Sequence, residues 1–386
     1  MSQESKVAYE GPRTPRPDEW DAVCELERAV FFPDAPTCWT WMRRWPMSLH
    51  PDARQQALTI FHDGRPVSSM NRLVRDMLVH GHRLRLGYIG AVCTDPAYRG
   101  QGLASTLLDA TLRQLHAEDV DLVYISGTRG LYYGAGANHA AIEERSLLAL
   151  GALNNAGDDI AVRLADEEDI DVLVMLAQGE GVRVIRPRAD WEFVIQEGHC
   201  RGRPCAFYLV ERGGVPVAYL LWQYDRAHHA TRLIELAGDR ASLLAALSHA
   251  CRQSAIEEII EVNVPHGDLL ALLLAAQGVA PMPARSSGTI KLLDLARTMG
   301  KLLPYFRERL PGWDQRELHI AAGKERYVVW TADGWLQVEG ESQLLWLLLG
   351  RPADAPQSTV VAHGTMQALV ERCLPLPLPW LHLNMI

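Results

Sequence analysis

Helical and extended spacings of apolar residues alternate along the first 150 positions of the chain. Residues 20–31 carry apolar side chains at helical spacing, and residues 103–116 do the same. Apolar runs separated by turn residues predict strands at four places: 58–62, 67–72, 77–79 and 84–93. A wholly apolar run at 122–125 follows the second helix and predicts a strand that is covered on both faces and paired in parallel. The alternation therefore predicts a mixed α/β domain.

A polar run at residues 154–159 interrupts this pattern and predicts a domain boundary. The order of strands and helices after it resembles that of the first segment, which indicates an internal structural repeat. From residue 292 the pattern changes to a helix, three short strands and another helix. We therefore predict three domains: 1–155, 156–291 and 292–386. The tail at 375–386 is apolar and stiffened by prolines, so we expect it to pack against the rest of the chain.

Composition excludes several classes of protein. The net charge of −9 argues against a general nucleic-acid binder. No apolar run approaches the ~20 residues that a membrane span requires, and the first residues lack the apolar core of a secretory signal. We therefore expect a cytoplasmic protein without a membrane or nucleic-acid partner. The seven cysteines form no Cys-x-x-Cys pair, which argues against a zinc site or a disulfide framework.

Residues 88–105 carry the candidate chemistry. A strand ends at a proline turn, and the loop Arg99-Gly100-Gln101-Gly102 then opens directly into the helix that begins at Leu103. Backbone N–H groups in such a loop, together with a helix N-terminus, form a cradle for an anion. The glycines let the backbone approach a pyrophosphate, and Arg99 adds a charged donor. The loop matches neither the dinucleotide-binding Gly-x-Gly-x-x-Gly pattern nor the P-loop.

The run from Arg99 to Ala104 resembles the Arg/Gln-x-x-Gly-x-Gly/Ala signature of the GNAT superfamily of acyl-CoA-dependent N-acetyltransferases. The resemblance implies an α+β (α/β) fold whose mixed, mostly antiparallel sheet has splayed central strands. It implies acetyl-CoA as cosubstrate and no metal. The resemblance also implies the residues that hold the cosubstrate's pyrophosphate, pantetheine arm and thioester: Val92, Cys93, Thr94, Arg99, Gly100, Gln101, Gly102, Leu103, Ala104, Ser105, Gly127 and Thr128.

The segment from Gly130 to Ala137 resembles the family's Leu-Tyr-x-x-x-Gly-Phe segment, with Ala137 in place of the usual aromatic residue. The family's tyrosine then falls on Tyr132, whose phenol is expected to protonate the departing CoA thiolate. Tyr133 takes this role if the register shifts by one residue. The alternative is that both tyrosines simply pack at the start of a helix.

The order of the three predicted domains resembles that of the Eis-like acetyltransferases. These combine a GNAT domain, a second GNAT-like domain and a small α+β domain similar to sterol carrier protein 2 (SCP2-like). The second segment here has Asp239 where a phosphate would bind, so we interpret it as a degenerate copy. In Eis-like enzymes the C-terminal carboxylate reaches the active site and helps to deprotonate the amine, which implicates Ile386. These enzymes are hexamers, which implies a homo-oligomer.

An alkyl amine has a pKa of ~10.4 and is protonated at neutral pH. An enzyme that uses it as a nucleophile must therefore remove a proton from it. The hypothesis is an N-acetyltransferase in which a primary amine attacks the thioester directly in a ternary complex. Its acceptor is an aminoglycoside, a polyamine or a lysine-type amine. The backbone near Val92 polarises the thioester carbonyl. A non-catalytic acetyl-CoA sensor or scaffold is the alternative, and a lipid carrier is a third reading.

Other residues permit both a functional and a structural interpretation. Trp39, Trp41 and Trp45 lie where the family builds its acceptor side, so they line an acceptor pocket or pack in the core. The histidine pairs His80/His82 and His228/His229 fall in a turn and a polar loop, where solvated side chains are commoner than metal ligands. Cys93 has no apparent activating base in the sequence, so we interpret it as a packing residue.

Overall fold

The structure, a computed structural model, describes residues 8–49, 52–149, 153, 159–225, 230–253, 259–313, 316–323 and 325–381. Three features singled out in the sequence lie outside these ranges: most of the polar run (154–158), the pair His228 and His229, and the terminal residue Ile386.

The first part of the chain alternates helices and strands as the apolar spacing predicts. Its elements are β1 (Glu10–Arg13), α1 (Trp20–Phe31), α2 (Cys38–Met42), α3 (Ala53–Gln56), β2 (Ala57–His62), β3 (Arg65–Val79), β4 (His82–Thr94), α4 (Leu103–Ala117), β5 (Leu122–Ile125) and α5 (Gly130–Gly134). The two strands predicted at 67–72 and 77–79 are one strand, β3. Arg75 interrupts the apolar pattern of this strand. Its guanidinium is not left unpaired, because it donates to the buried Asp190 at 2.7 and 2.8 Å.

The middle part of the chain repeats the alternation. Its elements are β6 (Ala141–Leu148), β7 (Ile160–Leu164), α6 (Ile170–Gln178), β8 (Val182–Ile185), α7 (Arg188–Glu197), β9 (His199–Cys200), β10 (Arg203–Arg212), β11 (Val215–Asp225), β12 (Ala230–Gly238), α8 (Arg240–Gln253), β13 (Ile259–Pro265), α9 (Leu269–Ala276) and β14 (Met282–Arg285). Parallel strands β12 and β13 flank α8, just as β4 and β5 flank α4.

The last part of the chain contains a small antiparallel sheet and its helices. Its elements are β15 (Thr289–Leu292), α10 (Leu295–Arg309), β16 (His319–Ala322), β17 (Arg326–Thr331), β18 (Gly334–Glu339), α11 (Glu341–Leu349), β19 (Val361–Gly364) and α12 (Thr365–Cys373). None of the described helices combines the length and the apolar character needed to cross a membrane.

Strands β4 and β5 form the centre of the first sheet. In the described part of the chain its order is β1-β2-β3-β4-β5-β15, with β8 added beside β3. The predicted parallel pairing of β5 is confirmed, and it runs from Leu86 opposite Leu122 to Ile89 opposite Ile125. Beyond that last pair β4 continues to Thr94 while β5 ends, so the two strands diverge and leave a gap.

Sheet membership does not follow the predicted domain boundaries. Strand β6 precedes the polar run but joins the second sheet, whose order in the described residues is β14-β6-β13-β12-β11-β10-β7, with β9 beside β10. Conversely, β8 from the middle of the chain pairs with β3, and β15 pairs with β5. The boundary expected after residue 291 therefore cuts through β15. Strands that pair across such distances in the sequence leave no local pattern that would reveal the pairing. The three predicted domain boundaries stay predictions.

The proline-rich tail packs in two parts of the core: Leu376, Leu378 and Leu381 in the core that includes α10, α11 and α12, and Trp380 in the core of the second sheet. Leu376, Leu378, Trp380 and Leu381 are buried, and the Trp380 indole N–H donates to the carbonyl oxygen of Asn263 at 2.8 Å. The predicted burial of the tail is thus confirmed as far as Leu381.

Candidate active site

The loop between β4 and α4 has a backbone that glycine favours. The Asp95 carboxylate accepts a hydrogen bond from the Ala97 amide at 2.8 Å and begins the turn. Gly100 and Gly102 then adopt φ angles of +78° and +76°, and Gly102 caps the N-terminus of α4. A Cβ atom at either glycine would meet no protein atom within 4 Å. The glycines are therefore required by the backbone conformation and not by crowding.

The amides of this loop are available to a ligand. None of the backbone N–H groups from Gly100 to Ser105 has an acceptor among the described residues. The Thr106 amide is the first to bond, to the carbonyl oxygen of Gly102 at 3.0 Å. Because unpaired amides at a helix N-terminus carry partial positive charge, this loop can hold an anion.

A groove of about 310 Å³ is lined by this loop and by Tyr132. Eight of the predicted cosubstrate residues line it: Val92, Thr94, Arg99, Gly100, Gly102, Leu103, Ala104 and Ser105. The predicted acid Tyr132 lines it as well, together with four residues that the sequence did not assign to the cosubstrate: Val30, Tyr98, Arg129 and Leu131.

Four predicted cosubstrate residues do not line the groove. The Gln101 side chain is turned away and accepts a hydrogen bond from the Tyr9 hydroxyl. The Cys93 thiol is buried in the sheet, which raises its pKa well above the ordinary value, so the packing interpretation fits this residue. Gly127 lines a neighbouring cavity, and Thr128 is exposed and lines neither space.

A β-bulge in β4 faces the gap between the central strands. Ser69 of β3 pairs with Cys93, and Asn71 pairs with Gly90, so Ala91 and Val92 together oppose a single residue of β3. Ala91 has a φ of +48°, which is unusual for a residue with a side chain. The bulge thus turns Ala91 and Val92 towards the gap.

A second cavity, of about 270 Å³, adjoins the groove. Half of its lining residues are aromatic, and they come from the α1 and α2 region, the β4 bulge and the segment after β5: Phe31, Phe32, Trp41, Trp45, Ala91, Val92, Ser126, Gly127, Arg129 and Tyr132. Val92, Arg129 and Tyr132 line both spaces. A molecule in the groove and a molecule in this aromatic cavity would therefore meet beside the Tyr132 ring.

Tyr132 is held at this junction by close packing. Its side chain is 3% exposed, and a Cβ atom built on Gly127 would lie 2.4 Å from its Cε2 atom. Burial raises the pKa of the Tyr132 phenol. Tyr133 is 39% exposed, packs towards His139 with a ring separation of 6.0 Å, and lines neither space.

The tryptophans of the α2 region separate into two groups. Trp41 and Trp45 line the aromatic cavity, and Trp41 stacks on Phe31 with ring centroids 6.2 Å apart and an interplanar angle of 7°. Trp39 is 49% exposed and lines neither space. Phe31 is the last residue of the helix predicted from the sequence, and Phe32 follows it. Their position along the chain was therefore predictable, but their role in lining the cavity was not.

The comparison with protein families agrees with this geometry. Residues 12–138 match the family described as "Acetyltransferase (GNAT) domain". This part of the chain is therefore similar to a GNAT acetyltransferase domain. The chain is accordingly an acyltransferase. A comparison with curated proteins found no match.

Solved structures similar to the whole chain extend the comparison beyond the GNAT domain. A GCN5-related N-acetyltransferase from Kribbella flavida has a TM-score of 0.65 and 14% identity, with 97% of each chain covered. One from Anabaena variabilis ATCC 29413 has a TM-score of 0.60 and 13% identity over 92% of this chain and 85% of its own. Eis1 from Mycobacterium abscessus has a TM-score of 0.55 and 14% identity over 76% of each chain. At these identities the similarity shows the fold, and the predicted α+β GNAT fold is confirmed.

The charges around the aromatic cavity of the GNAT domain are positive. Arg129 is exposed at the junction, and its guanidinium has no ion-pair or hydrogen-bond partner among the described residues. The Arg44 guanidinium lies 5.9 Å from the centre of the Phe32 ring.

Glu27 is fully buried on α1, where desolvation raises its pKa to about 8 despite a 2.9 Å hydrogen bond from the Asn71 amide. Glu27 is therefore largely uncharged at pH 7.

Proposed function

We propose that the chain transfers the acetyl group of acetyl-CoA to a primary amine by direct attack in a ternary complex. The observation that carries the proposal is the junction of the groove and the aromatic cavity at Val92 and Tyr132. A donor and an acceptor bound in two adjoining spaces can react without a covalent enzyme intermediate, because binding alone brings the reacting atoms together.

The groove suits the diphosphate and the extended arm of coenzyme A. The free amides from Gly100 to Ser105 and the Arg99 guanidinium supply donors for the diphosphate. Val92 and Thr94 line the groove on the edge of β4, where a pantetheine arm can follow the strand. Bound there, acetyl-CoA supplies a thioester, and the β4 bulge at Val92 faces its expected position.

Tyr132 is the residue that we assign to the departing thiolate. Burial raises its phenol pKa, so the hydroxyl stays protonated at neutral pH and can give up its proton once a thiolate forms. In the overall reaction the N–C bond forms, the C–S bond breaks, and the proton lost by the amine balances the proton gained by the sulfur. We propose the Ile386 carboxylate as the group that accepts the amine's proton.

We also propose that the middle domain is a degenerate GNAT-like copy that holds no cosubstrate. At the start of α8 the Asp239 carboxylate accepts from the Ser242 amide at 2.8 Å. The Glu180 carboxylate accepts from the Gly238 amide at 2.8 Å and binds Arg240. Since carboxylates occupy these amides, a phosphate would meet negative charge where the first domain offers free donors. An SCP2-like last domain and an Eis-like assembly remain part of this proposal.

The test is an assay of CoA release and of acetylated product, with acetyl-CoA and a panel of primary amines. The panel covers aminoglycosides, polyamines, lysine peptides and small aromatic amines. We expect product from at least one class, together with binding of coenzyme A by calorimetry. Binding without any product would favour the acetyl-CoA sensor, and no binding would refute both functions.

Removal of residues 382–386 tests the terminal base separately. If the Ile386 carboxylate accepts the proton, the truncated chain should lose most turnover and keep its affinity for coenzyme A. Full turnover after truncation would refute this role. Extension by one glycine, which moves the carboxylate by a residue, serves as a matched control because it retains all native side chains.

A further inference from the structure

The aromatic cavity is small and partly open to solvent, with a volume of about 270 Å³. The part of an acceptor that lies against its walls is therefore compact, whatever the size of the part outside.

The cavity walls favour a flat or branched apolar group. Phe31, Phe32, Trp41 and Trp45 present ring surfaces, and the Phe31 and Trp41 rings are nearly parallel. Aromatic rings pack well against another ring or a branched aliphatic group. The ring surfaces themselves offer few hydrogen-bond partners to the amines of a polyamine or the hydroxyls of a sugar.

The charge around the cavity is opposite to what a polycation needs. None of the described residues that line it is an aspartate or a glutamate. Arg129 contributes a positive charge to the lining, and Arg44 contributes a second over the Phe32 ring. A ligand with several ammonium groups would be repelled, whereas an anionic group would be attracted.

Arg129 is placed to bind such an anionic group. It lines both the groove and the cavity, as Tyr132 does. Its guanidinium has no partner among the described residues, and a guanidinium can bind a carboxylate through two parallel hydrogen bonds. An acceptor in the cavity that carries an anionic group can bring that group to Arg129.

We infer that the acceptor is a compact amino carboxylate with an aromatic or branched apolar side chain, bound by Arg129 through its carboxylate. The inference rests on the proposed acetyl transfer and narrows its acceptor class. It replaces the polyamine and aminoglycoside alternatives for this chain. Arg129 is then a specificity-determining residue, and Tyr132 lies within the same small space as the acceptor's amine.

The experiment compares phenylalanine with 2-phenylethylamine, which differ only in the carboxylate. With the full chain and saturating acetyl-CoA, we expect kcat/KM for phenylalanine to exceed that for 2-phenylethylamine by about tenfold or more, and to exceed that for spermidine and kanamycin. Arg129→Gln should abolish this preference, while Arg129→Lys should retain part of it. Arg113→Gln is the matched control, because Arg113 is exposed on α4 and lines neither space.

Equal rates for the two aromatic amines, or highest rates with spermidine or kanamycin, would overturn the inference while leaving acetyl transfer intact. A rise in KM for acetyl-CoA in Arg129→Gln with the preference unchanged would also overturn it, because Arg129 would then serve the cosubstrate. Calorimetry of phenylalanine with the CoA complex separates the two proposals. Arg129-dependent binding without any product would refute the transferase and support the ligand class, and absence of binding would refute the ligand class.

Discussion

The ring of Tyr132 lies directly against Gly127. A Cβ atom at Gly127 would come within 2.4 Å of Cε2 and 3.1 Å of the Tyr132 hydroxyl oxygen. Gly127 follows β5 and Tyr132 lies in α5, so the strand end and the short helix touch only because residue 127 has no side chain. This contact fixes the phenol at the junction of the two cavities.

Replacement of Gly127 by alanine should displace the Tyr132 ring and reduce kcat by roughly a hundredfold, because a shift of about 1 Å at a reacting group has effects of this size. The measurement is the steady-state rate of CoA release. Gly130→Ala is the control, since a Cβ at Gly130 meets no atom within 4 Å. If both variants kept the wild-type rate, the position of Tyr132 would be unimportant for turnover.

Tyr132→Phe should lower kcat by at least about a hundredfold, as expected when a general acid is removed, and leave the affinity for coenzyme A unchanged. Because burial raises the pKa of the phenol, the wild-type rate should not fall as pH rises through the neutral range on account of this group. Tyr133→Phe should have the wild-type rate, since Tyr133 lines neither space. A large loss in Tyr133→Phe with none in Tyr132→Phe would reverse the assignment.

Gly100→Ala should weaken coenzyme A binding about tenfold, measured by calorimetry, because the new Cβ lies in the loop that offers its amides to the diphosphate. The positive φ also costs about 1 kcal/mol of stability. Gly64→Ala controls for that strain, since Gly64 has a similar φ of +73° and equally open surroundings in a distant turn. Equal affinities in the two variants would show that the loop does not hold the diphosphate.

Glu27→Gln should make the stability of the protein less dependent on pH. The folded pKa of about 8 lies above the ordinary 4.5, so the folded state binds more protons between these values. Stability from this group is therefore fully present below about pH 4.5 and declines towards pH 8, by up to about 1.4 kcal/mol per pH unit. The advantage of the variant in thermal midpoint should grow from pH 5 to pH 8.

Glu25→Gln is the matched control on the same helix. Glu25 is exposed, and its hydrogen bond with Arg28 lowers its pKa, so its ionisation does not change between pH 5 and pH 8. The thermal midpoint of this variant should keep a constant offset from wild type over that range. A constant offset in Glu27→Gln as well would mean that Glu27 is ionised in the folded protein.

Sequence spacing predicted the elements around the loop because their causes are local. The apolar face of α1, the turn at Asp95 and the glycines that precede α4 each depend on a few neighbouring residues. The parallel pairing of β5 was also predictable, since a strand that is apolar on both faces must be covered on both. The residues on the loop side of the groove were identified for the same reason.

The aromatic cavity had no comparable signal. Phe31 ends α1, Trp41 lies in α2, and Arg129 follows β5, so nothing in the spacing of these residues indicates that they meet. The family resemblance also included Gln101 and Cys93 among the cosubstrate residues, although Gln101 is hydrogen-bonded to Tyr9 and the Cys93 thiol is buried in the sheet.

The sequence by itself determined the local elements, the glycine loop and the tyrosine that follows β5, because backbone preference and apolar periodicity act over a few residues. Only the tertiary structure decided that β6 joins the second sheet, that β8 and β15 extend the first, and that Arg129 lies beside Tyr132. Those features depend on hydrogen bonds and contacts between residues tens to hundreds of positions apart. Their free energy is gained only when the whole chain has folded, so no short stretch of sequence encodes them.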